Sequence, residues 1–153
     1  MEELAIVSEG LDLEVLGGAA ADVCILFTST SSARGLARQV HYLGGQGPFT
    51  TLDCTAPSSL LEEQLTDALG PGGSGTVFLE DVDRLSLDLQ DRLLDLLDTQ
   101  DDAQPTRARV MASTSEPLLE RTLDGSFNER LFYRLNTIHV IVPEGVGWII
   151  HDL

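Results

Sequence analysis

The chain has 153 residues, 42% of them hydrophobic, which suffices for one domain with a substantial core. Its formal net charge of −16 would repel a phosphate backbone, and its nine cations form no cluster that offsets this charge, so direct nucleic-acid binding is not expected. No apolar run approaches the ~20 residues that a membrane helix needs, and the acidic start Met1-Glu2-Glu3 is unlike a signal peptide. We therefore expect a cytoplasmic protein without a membrane segment.

Short apolar runs alternate with amphipathic segments along the chain. Residues 1–22 are interpreted as one short helix and a turn. Five apolar runs too short for ordinary helices then predict buried strands: Val23–Phe27, Phe49–Leu52, Thr76–Leu79, Arg107–Ala112 and Thr137–Val142. Helices are predicted between them: Ala33–Leu43, Ser59–Leu69, Ser86–Asp98, Glu116–Leu123 and Phe127–Leu135. This order predicts an α/β domain with a mostly parallel sheet of about five strands.

Two of the helices carry more specific signals. Ser59 and Glu62 stand at capping-box spacing, where each side chain can bond a backbone N–H of the first turn. The helix that begins near Ser86 has four leucines on one face: Leu89, Leu93, Leu96 and Leu97. Burying them would contribute roughly 1.5 to 3 kcal/mol each before entropy is counted. This helix is therefore expected to dock on the sheet.

These elements divide the chain into an N-terminal segment 1–22, an α/β domain 23–143 and a C-terminal tail 144–153. The tail has no clear period, but Trp148 with Ile149 and Ile150 forms an apolar patch that something should cover.

The thiols and imidazoles suggest structural roles. Cys24 and Cys54 each lie at the edge of a predicted strand, where an intracellular thiol is usually a small buried hydrophobe, and a disulfide is the alternative. His41, His139 and His151 have no ligand partners at metal spacing, so no metal site is predicted.

A loop of small residues and a pair of acids indicate where a ligand would bind. The loop Thr28-Ser29-Thr30-Ser31-Ser32 follows the first strand, and Glu80-Asp81 follows the third. Ligands bind at the carboxyl ends of the strands in an open α/β sheet. The layout is that of a P-loop nucleotide-binding domain, in which backbone N–H groups and a lysine hold the phosphates and strand-end acids hold Mg²⁺ and orient water.

Four phrases make the chain similar to a known family. They are PFTTLDC (48–54), GSGTVFLEDV (73–82), LDLQDRLL (87–94) and FNERLFYRLN (127–136). In this order, over roughly Val23 to Pro143, they resemble the AAA+ domain of sigma-54-dependent transcriptional activators, the sigma-54 interaction domain. The resemblance implies a P-loop NTPase fold, ATP and Mg²⁺ as cofactors, assembly into a ring, and sigma-54 RNA polymerase as a partner.

The phosphate loop of that family reads Gly-x-x-x-x-Gly-Lys, and the matching positions here are Thr28, Ala33 and Arg34. Residues with a β-carbon adopt positive φ only at a cost, which weakens an anion-binding nest. Arg34 keeps the charge but is forked and bulkier than lysine, and the chain contains no lysine at all. The segment Thr28–Arg34 is interpreted as a vestigial phosphate loop; the alternative is a plain loop in which Ser32 caps the next helix.

The other working positions of the family also differ. Its Asp-Glu pair is reversed as Glu80-Asp81, and a misplacement of ~1 Å can cost on the order of a hundredfold in rate. The asparagine-like sensor is Ser115. Of two arginines near the last helix, only the second is matched, by Arg134, which is expected to act as an arginine finger or to pair with an acid. Asp83 is expected at the surface.

We expect three features of the family to be missing from this chain. The loop that contacts sigma-54 would lie between Leu69 and Gly73, where only Gly70-Pro71-Gly72 stands, and there is no helical lid or helix-turn-helix.

Three functions remain open. The first is a degenerate, truncated module without cofactor that regulates transcription by protein contact, with intact activator subunits or sigma-54 RNA polymerase as partners and self-association as an option. The second is a weak ATP-binding domain or a fragment of an activator. The third is a structural remnant without a present role.

Overall fold

The computed structural model describes residues 4–7, 24–29, 32–44, 47–70, 73–101 and 108–142. They form a parallel sheet with helices on both faces. The strands are β1 Leu4–Val7, β2 Ile25–Thr28, β3 Phe49–Asp53, β4 Thr76–Glu80, β5 Arg109–Thr114 and β6 Ile138–Ile141. The helices are α1 Arg34–Gly44, α2 Ser58–Leu69, α3 Leu87–Asp101, α4 Leu118–Leu123 and α5 Glu129–Leu135, with a 3-10 turn at Val82–Arg84.

The strands lie in the order β1-β6-β2-β5-β4-β3, and every pairing is parallel. All residues of the central strand β5 are buried, as expected where helices cover both faces of a parallel sheet. The predicted α/β fold is confirmed, and each of the five predicted strands is present.

Alternate residues of the strands supply two cores on opposite faces of the sheet, because successive side chains of a strand point to opposite sides. Ile25 and Phe27 of β2 pack in the core that α1 covers. Leu26, between them, belongs to the larger core with the leucines of α2, α3 and α5. The carboxyl ends of β2, β5 and β4 are left side by side at one edge of the sheet.

Helix α3 docks as its leucine pattern predicts, since Leu89, Leu93, Leu96 and Leu97 are all buried. Gln90 is also fully buried, next to this apolar face. Its Nε2 donates to the carbonyls of Leu85 at 3.0 Å and Ser126 at 3.2 Å, and its Oε1 accepts from the backbone N–H of Asn128 at 2.7 Å. The Gln90 amide therefore ties α3 to the start of α5.

The prediction of a short helix within residues 1–22 is wrong for residues 4–7. They form β1, which pairs with β6 in the register Leu4 with Ile138, so the sheet has six strands. A partner strand so distant in sequence leaves no local signal. The domain boundaries remain predictions, and the tail with Trp148 lies outside the described residues.

Two further local predictions are wrong. Helix α2 begins at Ser58, and no side-chain hydrogen bond caps it, so Ser59 and Glu62 do not form a capping box. Asp83 is 6% exposed rather than at the surface, because the 3-10 turn directs its carboxylate inward.

The thiols and His41 have the structural roles expected of them. Cys24 and Cys54 are buried and form no disulfide, and burial raises the pKa of the Cys54 thiol. His41 is buried, with Nδ1 2.7 Å from the Thr76 hydroxyl and Nε2 3.2 Å from the carbonyl of Gly47. His151 lies outside the described residues. Within the described ranges, none of the helices has the length and apolar character needed to cross a membrane.

Candidate functional site

The candidate site lies where β2 and β4 end. The segment after β2 leads through Ser32 and Ala33 into α1, and β4 ends at Glu80. Thr30 and Ser31 of the predicted phosphate loop lie outside the described residues.

An ion pair joins the two sides of this site. The Nη2 of Arg34 lies 2.6 Å from Oε1 of Glu80, and Ser32 Oγ donates to Oε2 of the same carboxylate at 3.3 Å. The Arg34 side chain is 50% exposed, whereas that of Glu80 is 14% exposed. The hydrogen bond to Glu80, followed by the charge of Glu80, raises the pKa of Arg34 above its ordinary value. The carboxylate therefore has two donors and a full countercharge.

The residues before Arg34 form hydrogen bonds and packing contacts within the domain. Ser32 Oγ accepts from the backbone N–H of Arg34, the first residue of α1, at 3.2 Å. Ala33 is 3% exposed, and its side chain packs in the α1 core. Upstream, the backbone N–H of Ser29 donates to the carbonyl of Thr114 at 3.0 Å, and Thr28 Oγ1 lies 2.7 Å from Nε2 of His139.

The two acids that follow Glu80 have different environments. Asp81 has φ 60° and ψ 54°, the left-handed conformation, and its backbone N–H donates to Ser113 Oγ at 3.3 Å. Burial raises the pKa of Asp81, and the charges of Asp83, Glu80 and Asp53 add to this effect. Asp83 accepts a 2.7 Å hydrogen bond from the hydroxyl of Thr114, which buries its charge with a partner.

A fourth acid, Asp53, stands at the end of β3, beside β4. Its Oδ1 accepts from the hydroxyl of Thr55 at 2.7 Å and from the backbone N–H of Thr55 at 2.9 Å. These two bonds lower the pKa of Asp53, and the charge of Arg34 contributes less. The edge of the sheet is thus strongly acidic. Within the described residues, however, no three His, Cys, Asp or Glu side chains converge as metal ligands would.

The remaining predicted site residues stand apart from this ion pair. Ser115 is exposed just beyond the end of β5. Arg134 lies on α5, and its Nη2 donates to the carbonyl of Leu97 on α3 at 3.3 Å. The structure therefore brings Ser32, Arg34 and Glu80 together and places Arg134 against a helix.

Sequence reasoning missed Asp53, Ser113 and Thr114 as parts of the site. A signal was available, because each ends or nearly ends a strand at the same edge of the sheet. The contacts of Ser113 and Thr114 with the segment after β4 depend on the order of the strands, which the sequence did not reveal, whereas Asp53 bonds to Thr55 only two residues away.

Comparison with known proteins identifies the family. The model of the sigma-54 interaction domain matches residues 67–141, from the end of α2 through β6. These residues belong to the sigma-54 interaction domain family. The resemblance inferred from the four sequence phrases is thus confirmed.

The curated proteins to which the chain is similar include regulatory proteins. The chain is 33% identical to the pathogenicity locus probable regulatory protein HrpR of Pseudomonas syringae pv. syringae, over 71% of this chain and 42% of HrpR. It is 32% identical to the regulatory protein AtoC of Escherichia coli K12, over 80% of this chain and 32% of AtoC. The chain therefore spans less than half the length of either relative.

Solved structures share the fold. NtrX from Brucella abortus in complex with ADP superimposes with a TM-score of 0.71 at 24% identity, over 86% of this chain and 34% of NtrX. The P-loop NTPase domain of the sigma-54 transport activator from E. coli gives 0.60 at 20% identity, over 86% of this chain and 90% of that domain. At these identities the likeness concerns the fold alone.

Proposed function

We propose that this sigma-54 interaction domain regulates transcription through contacts with other proteins and without hydrolysing ATP. The observation that carries the proposal is the 2.6 Å ion pair between Arg34 and Glu80. Arg34 stands at the position of the phosphate-binding lysine of the family, and Glu80 at that of its first acid. The two groups that would serve the phosphates and Mg²⁺ therefore bind each other.

Electrostatics supports the proposal. A triphosphate entering the site would have to separate Arg34 from Glu80, leaving a carboxylate that is 14% exposed without its countercharge. It would also approach Asp53 and Asp81. These carboxylates are close to the ion pair, since the charge of Asp53 contributes to the raised pKa of Arg34 and the charge of Glu80 to the raised pKa of Asp81. Like charges in such proximity disfavour an anionic ligand.

The shape of the loop supports it as well. Ala33 occupies the position of the last loop glycine, and its methyl group fills space in the α1 core. The hydroxyl of Ser32 is used by Arg34 and Glu80. These residues do not fit a bound Mg²⁺-nucleotide.

Protein contact is the way in which we propose that this domain acts. The net charge of −16 suits a basic protein surface and opposes direct binding to DNA. We propose intact activator subunits or sigma-54 RNA polymerase as partners, in the cytoplasm, with self-association as a further option.

Weak ATP binding is the second candidate. It is favoured by Glu80 and Asp81, which stand at the end of β4, where the family places its catalytic acids. Titration calorimetry of the full chain with MgATP separates the two candidates. We expect no heat of binding with up to about 100 μM MgATP. A Kd below about 100 μM, which corresponds to a binding free energy more favourable than about −5.5 kcal/mol, would overturn the ATP-independent proposal.

A functional assay tests the protein contacts. The ATPase rate of an intact sigma-54-dependent activator from the same organism is measured with increasing amounts of this chain. A change in that rate, with co-elution of the two proteins, is expected. Contact with the polymerase is tested in parallel by co-elution with sigma-54. An unchanged rate together with no co-elution in either mixture would contradict the proposal.

A further inference from the structure

A second concavity lies on the opposite side of β2 from α1. It is a cleft of about 560 Å³ between the β2–β6 part of the sheet and helices α4 and α5. Clefts of ~300–1,000 Å³ are typical small-molecule sites. The cleft does not include Arg34 or Glu80, although Thr28, the first residue of the predicted phosphate loop, lines it.

The walls of the cleft are mainly apolar. Leu26 forms part of the sheet side, and Leu118 and Phe132 line the helix side; all three are buried. Leu119 and Tyr133 also line the cleft but are 51% and 52% exposed. A ligand in the cleft would thus shield two large side chains that are half in water, which favours binding of apolar molecules.

Polar side chains also line the cleft, among them Asn136 and the pair formed by Thr28 and His139. Thr28 Oγ1 is 2.7 Å from His139 Nε2, and both residues line the cleft. A threonine hydroxyl has one proton and two lone pairs, so it retains hydrogen-bonding capacity after pairing with the imidazole. A ligand with a single hydroxyl could therefore bond to Thr28 while its apolar part contacts the leucines.

The charges at the cleft disfavour anions. None of the described residues that line it is an arginine, and the chain has no lysine. The lining includes one carboxylate, Glu116, whose Oε1 lies 3.9 Å from Nη1 of Arg121. Among the described lining residues, a phosphate or carboxylate would find no arginine or lysine to pair with.

We propose that this cleft binds a small, uncharged, largely apolar molecule carrying one hydroxyl group.

Three aromatic probes of similar size test the chemistry: 1-naphthol, naphthalene and 1-naphthyl phosphate. Binding to the full chain is followed by the ¹³C methyl signals of its leucines. We expect 1-naphthol to bind with a Kd of about 10–100 μM, roughly threefold to tenfold tighter than naphthalene because of its one hydrogen bond. The phosphate should bind at least about tenfold more weakly than 1-naphthol. Equal or tighter binding of the phosphate, or no binding of either neutral probe below about 1 mM, would overturn the proposal.

Two variants locate the site. Leu119→Arg places a charge at the rim and should weaken both neutral probes about tenfold. Leu123→Arg is the matched control, because Leu123 lies on the same helix, is 81% exposed and does not line the cleft. If the two variants behave alike, the probes bind elsewhere and the assignment fails.

A third variant tests the polar contact. Thr28→Val should remove the preference for 1-naphthol over naphthalene while leaving the affinity for naphthalene largely unchanged. Retention of the full preference in Thr28→Val would contradict the role given to the Thr28 hydroxyl.

Discussion

Arg34 and Glu80 meet at 2.6 Å although β5 lies between the strands that lead to them. The contact neutralises the one cation that the phosphate-loop segment offers. If this pair prevents anion binding, replacing Glu80 should leave the guanidinium of Arg34 free to bind an anion.

We therefore expect Glu80→Gln to bind inorganic tripolyphosphate at least about tenfold more tightly than the unaltered chain, because the substitution removes both the competitor and a repelling charge. Titration calorimetry without Mg²⁺ measures this change. Glu62→Gln, an equal change of charge on the exposed side of α2, is the control. Equal affinities of Glu80→Gln and the control would show that the ion pair does not block the site.

Asp81 leads to a pH-dependent prediction. Its pKa in the folded chain is raised above the ordinary value of 3.8, chiefly by burial, so the folded state binds the proton more tightly than the unfolded state. Its ionisation therefore lowers stability as the pH rises from about 3.8 through the raised pKa. Asp81→Asn should stabilise the fold at pH 7 by about 0.5 kcal/mol, and the gain should vanish near pH 3.

Urea unfolding of both proteins at pH 3 and pH 7 measures this difference. Asparagine keeps the size of the side chain and tolerates the left-handed backbone at this position. A gain of the same size at both pH values would mean that the charge of Asp81 is not its source.

We expect Gln90 to contribute more to the stability of the fold than most polar residues do. Gln90→Leu keeps much of the volume but leaves the carbonyls of Leu85 and Ser126 and the N–H of Asn128 without this partner. We expect a loss of about 2–4 kcal/mol in the free energy of unfolding, because groups buried without a hydrogen bond are costly. Chemical denaturation measures it, with the exposed Asp88→Asn on the same helix as a control that should change stability by less than about 0.5 kcal/mol. A loss below about 1 kcal/mol would indicate that water replaces the amide.

Gly75 and Gly125 form a natural pair for testing backbone strain. Both have positive φ, +75° and +86°, but a β-carbon at Gly75 would overlap the carbonyl oxygen of Pro48, whereas one at Gly125 would meet nothing within 4 Å. Gly125→Ala should therefore lower the free energy of unfolding only by the strain of alanine in the left-handed conformation, about 1–2 kcal/mol. Gly75→Ala should lower it by at least about 3 kcal/mol, because the backbone just before β4 must also move to relieve the overlap. Thermal unfolding of the two variants compares them directly, and equal losses would refute the overlap.

The parts of the fold that rest on local pattern were predictable. The continuous apolar run at Thr76–Leu79 and the leucine face of α3 gave a buried strand and a docked helix, and both are present. β1 was missed because its four residues form hydrogen bonds only with a strand at the other end of the chain. The burial of Asp83 was missed because it depends on a hydroxyl at the end of β5.

The candidate site was predictable in place but not in contacts. The sequence put Arg34 and Glu80 at the same edge of the sheet, since parallel strands end together. It did not reveal that the two side chains bind each other, because that depends on the strand order and on the reach of arginine. The contact of Arg134 with α3 follows from the packing of α5, which no local pattern encodes.

The pairing of β1 with β6 has a consequence for the order of folding. β6 also pairs with β2, about 110 positions earlier in the chain, and that contact already closes most of the polypeptide into a loop, at an entropic cost that grows with length. Once β2 and β6 are paired, β1 has only the short segment before β2 to span in order to reach β6. If β6 joins β2 before β1 arrives, the outer edge of β6 is open for that interval. A free strand edge can then pair with the wrong strand.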